Sequence, residues 1–350
     1  MKYGLLAHNN LYPNVGDSVQ SIAAGAFLPE VNDLVIYDRF HEFSPTENYK
    51  VILNHYYDKS FFTNTFSDRE DLMCRPEGIV MCSDYVAPLL FSMHINNPYT
   101  EGAFPMTDKV RKYLNSNGPV GARDEHTKKL LGECGVESYF SGCLTLTLNG
   151  RKNVRKGEYV VLADVSPKLK SFLRRKTERI MYDVSNIVGA DHQGAIEELI
   201  AADMWLDLLQ GAHCVVTRRF HVAMPCLALG VPVFLVYENG FNDFCGINTL
   251  DEHPRFSGSA ELLRYDTEIG YMNNYKQFDV DDPPANKEAY KSIRKKQIDI
   301  VKNFIGENCP YEDGGERIPI VDKIPVHFKH KEYDVFSHIY REQIFWGVNL

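Results

Sequence analysis

Short apolar runs rich in β-branched residues recur along this 350-residue chain, and segments with helical spacing separate them. "KYGLLAH" (2–8), "DLVIYD" (33–38), "YKVILNHYY" (49–57) and "EGIVMCSD" (77–84) read as strands. "GPVGARD" (118–124) and "VESYFSG" (136–142) read as short strands feeding loops. Between them lie helical patterns: "GDSVQSIAAGAFLP" (16–29), opened by Asp17 or Ser18, "TDKVRKYLNSNG" (107–118) and "EHTKKLLGECG" (125–135), the last two stopped by glycine. Strands that alternate with helices imply βα units and a mostly parallel sheet.

A polar, basic stretch, "LNGRKNVRKGE" (148–158), interrupts the pattern, which then restarts. "YVVLADV" (159–165), "HCVVT" (213–217) and "VPVFLVY" (231–237) are strand-like, while "IEELIAADMWLDLLQGA" (196–212) and "FHVAMPCLALG" (220–230) are helical. A charged helix follows in "AYKSIRKKQIDIVKNFIGE" (289–307). The length suits two domains. We therefore expect one α/β domain over 1–150 and another over 157–310, with 325–350 packing back on the first.

Composition narrows the function. With 44% hydrophobic and 24% charged residues the chain is an ordinary globular one, and its net charge of −9 argues against nucleic-acid binding, which needs a basic face. Residues 151–179 reverse the sign, with ten Lys/Arg against three Asp/Glu. An exposed linker and a solvated helix face explain that stretch; a peripheral contact with anionic lipid headgroups is the alternative. The opening "MKYGLLAHNNLYPNVGD" reads as a first strand, not a secretory signal, and the longest nearly apolar run lies within 222–237, shorter than the ~18 residues of a membrane span. A cytoplasmic protein is the expectation, with its eight scattered cysteines reduced.

Three polar clusters fall at strand-to-helix turns, where doubly wound folds collect ligands: "NNLYPNVGDSVQ", "VGARDEHTKKLL" and "TRRFHVAMP". The first lacks the glycine spacing of a nucleotide loop, and Asp17 there is either a helix cap or a catalytic carboxylate. Arg123 stands at a helix start, where the dipole disfavours a cation; it is either a surface partner of Asp124 or Glu125, or an anion ligand. Arg219 and His221 have the strongest case, since a buried guanidinium without a partner is costly and calls for an anion. Asp279 and Asp281 in "FDVDD" have the spacing of a metal-binding pair but sit in a polar loop, and His327 and His330 in "HFKH" lack further ligands. No metal or cofactor is expected.

"NVGDSVQSIAA", "GARDEHTKKLLGECGVESYFSGCLTLTL" and "VVTRRFHVAMPCLALGVPVFLV", in this order and spacing, resemble the polysaccharide pyruvyl transferase family. The resemblance implies two Rossmann-like domains facing across a cleft, the GT-B arrangement. It implies ketal pyruvyl transfer from phosphoenolpyruvate to two hydroxyls of one sugar, with release of phosphate. Arg123, Arg219 and His221 would hold the donor, with His221 in its protonated form as acid and Asp17 as base. Asn14, Asp17, Gln20 and Ser141 would meet the acceptor, a sugar or oligosaccharide that is free or lipid-linked. Leu144 stands where the pattern has proline, which bears on acceptor choice. Two rival readings are a GT-B glycosyltransferase using a nucleotide sugar and a non-catalytic glycan-binding relative.

Overall fold

The computed structural model describes residues 1–8, 14–37, 43–58, 83–96, 106–186, 194–237 and 250–324. The first half contains β1 (Lys2–Ala7), α1 (Val15–Gly25), β2 (Asp33–Ile36), β3 (Tyr49–Leu53), β4 (Tyr56–Asp58), β5 (Val86–Leu90), β6 (His94–Asn96), α2 (Asp108–Asn117), β7 (Val120–Ala122), α3 (Glu125–Glu133) and β8 (Ser138–Phe140). After a 3-10 turn at Leu144–Thr147 come β9 (Val160–Ala163), α4 (Pro167–Leu173), β10 (Met181–Val184), α5 (Ala195–Gly211), β11 (Cys214–Thr217), α6 (Phe220–Ala228) and β12 (Val233–Tyr237). β13 (Arg264–Thr267), α7 (Glu268–Asn273), α8 (Tyr290–Ile305) and α9 (Ile320–Lys323) complete the described chain.

The fold is α/β, with parallel sheets. One sheet has the order β2-β1-β3-β5 and the other β10-β9-β11-β12-β13, and every pairing in both is parallel. Two short parallel pairs, β4-β6 and β7-β8, extend the first half. β9 and β11 are buried throughout, as expected for strands covered on both faces, and this is why they read as unbroken apolar runs.

One apolar cluster among the described residues crosses from one half to the other. Val19, Ile22 and Ala23 of α1 share it with Leu199, Ala202 and Leu206 of α5. Helix α5 buries residues on all sides, so it is a core helix rather than a surface one. Even its Glu198 is buried, where Oε2 accepts a bond from Ser18 at 3.3 Å.

Helix α1 is capped by Asn14, whose Oδ1 accepts the Gly16 amide at 3.1 Å, and not by Asp17 or Ser18. Both of those are buried within the first turn and serve other purposes. At the other end Lys323 donates to the carbonyls of Gly25 (2.9 Å), Ala26 (3.2 Å) and Leu28 (2.9 Å), which cluster where the helix ends.

Helix α8 packs on the first half. Arg294 donates to the carbonyls of Leu146 at 2.7 Å and Leu148 at 3.0 Å, and Gln297 to that of Ser141 at 2.8 Å. The basic stretch is partly neutralised: Arg151 pairs with Asp203 and Asp207, Lys170 with Asp183, and Arg179 with Glu158 and Asp281. Lys168, Arg174, Arg175 and Lys176 stay exposed. Asp279 and Asp281 are engaged by Lys276 and Arg179. Residues 325–350, expected to pack back on the first domain, and the "HFKH" histidines lie outside the described residues. No helix among the described residues is long and apolar enough to cross a membrane.

Candidate active site

Polar side chains gather where the strands end. β1 runs out into His8, β3 into Asn54 and His55, β5 into Ser92 and β7 into Arg123, and all five are buried. In the second sheet Asp164, Asn186 and Arg219 follow within two residues of the ends of β9, β10 and β11. Loops and helix N-termini open at these carboxyl edges, which is why α/β folds bind ligands there. Ser92 and Asp164 hold left-handed backbone, at φ 55° and 56°. Such strain costs a non-glycine residue on the order of 1–3 kcal/mol and concentrates at functional sites.

Arg123 joins the two halves. Its Nη1 donates to Gln20 Oε1 at 3.2 Å and to His221 Nε2 at 3.2 Å, and its guanidinium lies 5.3 Å over the Phe220 ring. Its Nε, 4.0 Å from Asp124 Oδ2, has no hydrogen-bond partner among the described residues. With 2% exposure it is no surface ion pair. The alternative pairing with Glu125 is not formed either: Glu125 accepts from Lys128. Asp124 is the residue that caps α3, accepting the Thr127 amide at 2.7 Å, so Arg123 sits just ahead of the helix.

His221 is aimed by a kink. Pro225 has no N–H to offer the His221 carbonyl four residues back, and His221 leaves helical geometry at φ −80°, ψ 15°. Burial, with Arg123 and Arg255 nearby, holds its imidazole well below the usual histidine range. The Asp17 carboxylate, 4.0 Å from Nδ1, is too distant to reverse this. In the free chain His221 is therefore neutral, and since Arg123 only donates, Nε2 is the acceptor and Nδ1 carries the proton. The protonated form expected from the sequence needs an added negative charge nearby. Asp17 itself is pushed up to about 6 by burial, against the pull of Arg255 and Arg123.

Gly16 makes this approach possible. A Cβ there would lie 2.8 Å from His221 Cβ and 2.9 Å from Asn186 Nδ2. We expect Gly16→Ala to push α6 from α1, costing about 1–3 kcal/mol as overpacked cores do. Thermal unfolding checks this; an unchanged melting temperature contradicts the close contact.

The other sequence candidates divide. Gln20 is buried, with Oε1 on Arg123 and Nε2 donating to Asp17 at 3.5 Å, so it positions the guanidinium. Arg219 is not the unpartnered buried cation that the sequence argument required. Its side chain is 38% exposed and its Nε donates to Asp164 at 2.7 Å, because that carboxylate stands at the end of the neighbouring strand. Asn14 is committed to its cap and to Asn186 at 3.3 Å. Ser141 donates to the Ala122 carbonyl at 2.9 Å and latches β8 to β7.

Sequence reasoning missed Arg255. The segment 253–257 docks on the start of α3, where Glu125 and His126 amides donate to Ser257 at 3.1 and 3.0 Å, and Phe256 meets the Phe220 ring at 5.2 Å. That places exposed Arg255 within electrostatic reach of Asp17, Arg123 and His221. It makes no ion pair among the described residues. Also missed were His8, Asn54, His55 and His94, although each follows or opens a strand.

Comparisons with known proteins bear on this cluster. No curated protein matches the chain. Among solved structures it is similar to a crystal structure of accessory secretory protein 1, 2 and 3 in Streptococcus pneumoniae, at 13% identity and a TM-score of 0.26. That alignment covers 76% of this chain and 56% of the other, so the chain spans little more than half of that structure. Residues 103–240 match the family model described as polysaccharide pyruvyl transferase. Arg123, Arg219 and His221 all lie inside that stretch.

Proposed function

We propose that the chain is a ketal pyruvyltransferase that moves the three-carbon unit of phosphoenolpyruvate onto two hydroxyls of a sugar in a polysaccharide or its precursor, with release of phosphate. The two sheets are read as the lobes of a GT-B-like arrangement that works in the cytoplasm. The observation that carries the reading is the 3.2 Å contact between Arg123 and His221, which brings one cation and one acid–base group from opposite halves together. Arg219 and Arg255 supply further positive charge at more exposed positions.

The donor carries a carboxylate and a phosphate, and guanidinium groups bind either through paired hydrogen bonds. Its negative charge raises the His221 pKa, and His221 then protonates the methylene carbon, which becomes the methyl group. C2 turns electrophilic, and the arginines offset charge on the carboxylate and leaving group. A first hydroxyl adds to C2 and gives its proton to Asp17. The second hydroxyl adds as the C2–O bond to phosphate breaks, with the electron pair leaving on phosphate. Of the two hydroxyl protons released, one balances the proton gained by carbon and the other leaves with phosphate.

Thermal shift tests donor class, since a ligand that binds only the folded state raises its melting temperature. Phosphoenolpyruvate at about 100 times its Kd should stabilise the chain by about 2.7 kcal/mol. A shift with nucleotide sugars and none with phosphoenolpyruvate would favour a glycosyltransferase and overturn this reading.

A further inference from the structure

Ketal formation releases two hydroxyl protons, and Asp17 accounts for one. The Arg123 guanidinium has Gln20 and His221 at its Nη1 end and Asp124 at its Nε end. Asp124 Oδ2 also accepts from His94 Nδ1 at 2.6 Å, and both side chains are closed to solvent. Because Nδ1 carries the proton, Nε2 is an acceptor. It is buried and has no hydrogen-bond partner among the described residues. Asn54 Oδ1 is a second buried acceptor without a donor, and its amide Nδ2 donates to the Gln20 carbonyl at 2.8 Å. Buried acceptors of this kind call for a hydrogen-bond donor, such as a hydroxyl or a water, and not for an anion.

Resting on the pyruvyl-transfer reading, we propose that His94, oriented by Asp124, is the general base for one of the two sugar hydroxyls. The hydroxyl donates to Nε2; as its oxygen bonds to C2 and the C2–O bond to phosphate breaks, the proton passes to Nε2 and later leaves with phosphate. The imidazolium formed is stabilised by the Asp124 carboxylate. The protonation state suits the role. Burial, against the pull of Asp124, lowers His94 to about 4, so the imidazole is neutral near pH 7 and its Nε2 lone pair is free to accept a proton. Burial alone would raise Asp124, but His94, Arg123 and the Thr127 amide outweigh it and keep the carboxylate ionised. Arg123 and Arg255 also act on His94, His221 lies within electrostatic reach of it, and the His55 carbonyl accepts its amide at 3.0 Å.

Asp124→Asn is the decisive variant. Asparagine caps a helix as well as aspartate, so α3 survives. Its amide donates to Nδ1, which moves the ring proton to Nε2 and turns the acceptor into a donor. We expect kcat for acceptor-dependent phosphate release to fall at least about a hundredfold, the scale of lost general-base catalysis. KM for phosphoenolpyruvate and its thermal shift should hold within about threefold, since a donor-site defect would move them first. Should Asp124→Asn unfold, His94→Asn keeps a donor near the Nδ1 position, removes the Nε2 acceptor, and should show the same split. A kcat within about threefold of wild type in a folded variant overturns the assignment. A wild type that releases no phosphate from phosphoenolpyruvate overturns the pyruvyl-transfer reading and this base with it, a result distinct from an active wild type with an active Asp124→Asn.

Discussion

Arg123→Met should abolish pyruvyl transfer while leaving the fold standing. The variant replaces a guanidinium with 2% exposure by an apolar side chain of similar length. In catalysis it removes the buried cation that donates to His221, and we expect at least about a thousandfold loss of kcat/KM, as for removal of a preorganised donor. The thermal shift with phosphoenolpyruvate should vanish. In stability two terms oppose. Gln20 Oε1 loses its donor, at about 1–3 kcal/mol, but several kcal/mol of guanidinium desolvation no longer has to be offset. Its closest carboxylate, Asp124, is 4.0 Å away and keeps His94 Nδ1 and the Thr127 amide as partners. The melting temperature should hold or rise. Severe destabilisation with donor binding retained would mean that Arg123 is a structural residue.

Asp17→Asn is the second large effect, and it depends on pH. Burial raises Asp17 from 3.8 to about 6, so the folded state prefers the protonated acid. For a carboxyl raised in this way, stability is full below the unfolded pKa and is lost as pH rises through the folded one. The shift of roughly 2 units corresponds to about 3 kcal/mol of destabilisation once both states are ionised, at about pH 7.5. Asparagine carries no such penalty. Denaturant unfolding should show the variant more stable than wild type by up to about 3 kcal/mol at about pH 7.5, with the difference gone by about pH 3. Transfer activity should fall about a hundredfold or more, the cost of a lost base. Equal stability at both pH values would place Asp17 in contact with water.

Much of this was legible in the sequence because parallel strands buried on both faces announce themselves. "VVLA" and "CVVT" became β9 and β11, and "IEELIAADMWLDLLQ" became the buried α5. Edge elements were harder. β5, "VAPLL", carries Pro88 in its middle, which argues against a central strand, yet β5 pairs only with β3 in its sheet and tolerates it there. The polar "RYDT" of β13 is likewise an edge strand. Helix α4 and strand β10 flank and share the basic stretch, whose charges hid the apolar positions Leu169 and Leu173.

The site was legible in part for the same reason. A polar residue directly after an apolar strand marked Arg123 and the Arg219–His221 turn. The same rule applied to "LLAH" and "VILNH" singles out His8, Asn54 and His55. What sequence could not supply was partnership: Arg219 meets Asp164 across 55 positions, and Arg255 reaches the cluster through Ser257 docking on α3. Those facts depend on strand order and loop packing, which no local pattern encodes.

Phosphate release from phosphoenolpyruvate, measured across galactosides, mannosides and glucosides with Arg219→Ala and His221→Ala alongside, tests the central claim most directly. The account predicts release that depends on at least one sugar, that yields a pyruvyl ketal, and that His221→Ala lowers at least about a hundredfold. Absence of release with every acceptor, or full activity in both variants, would contradict it.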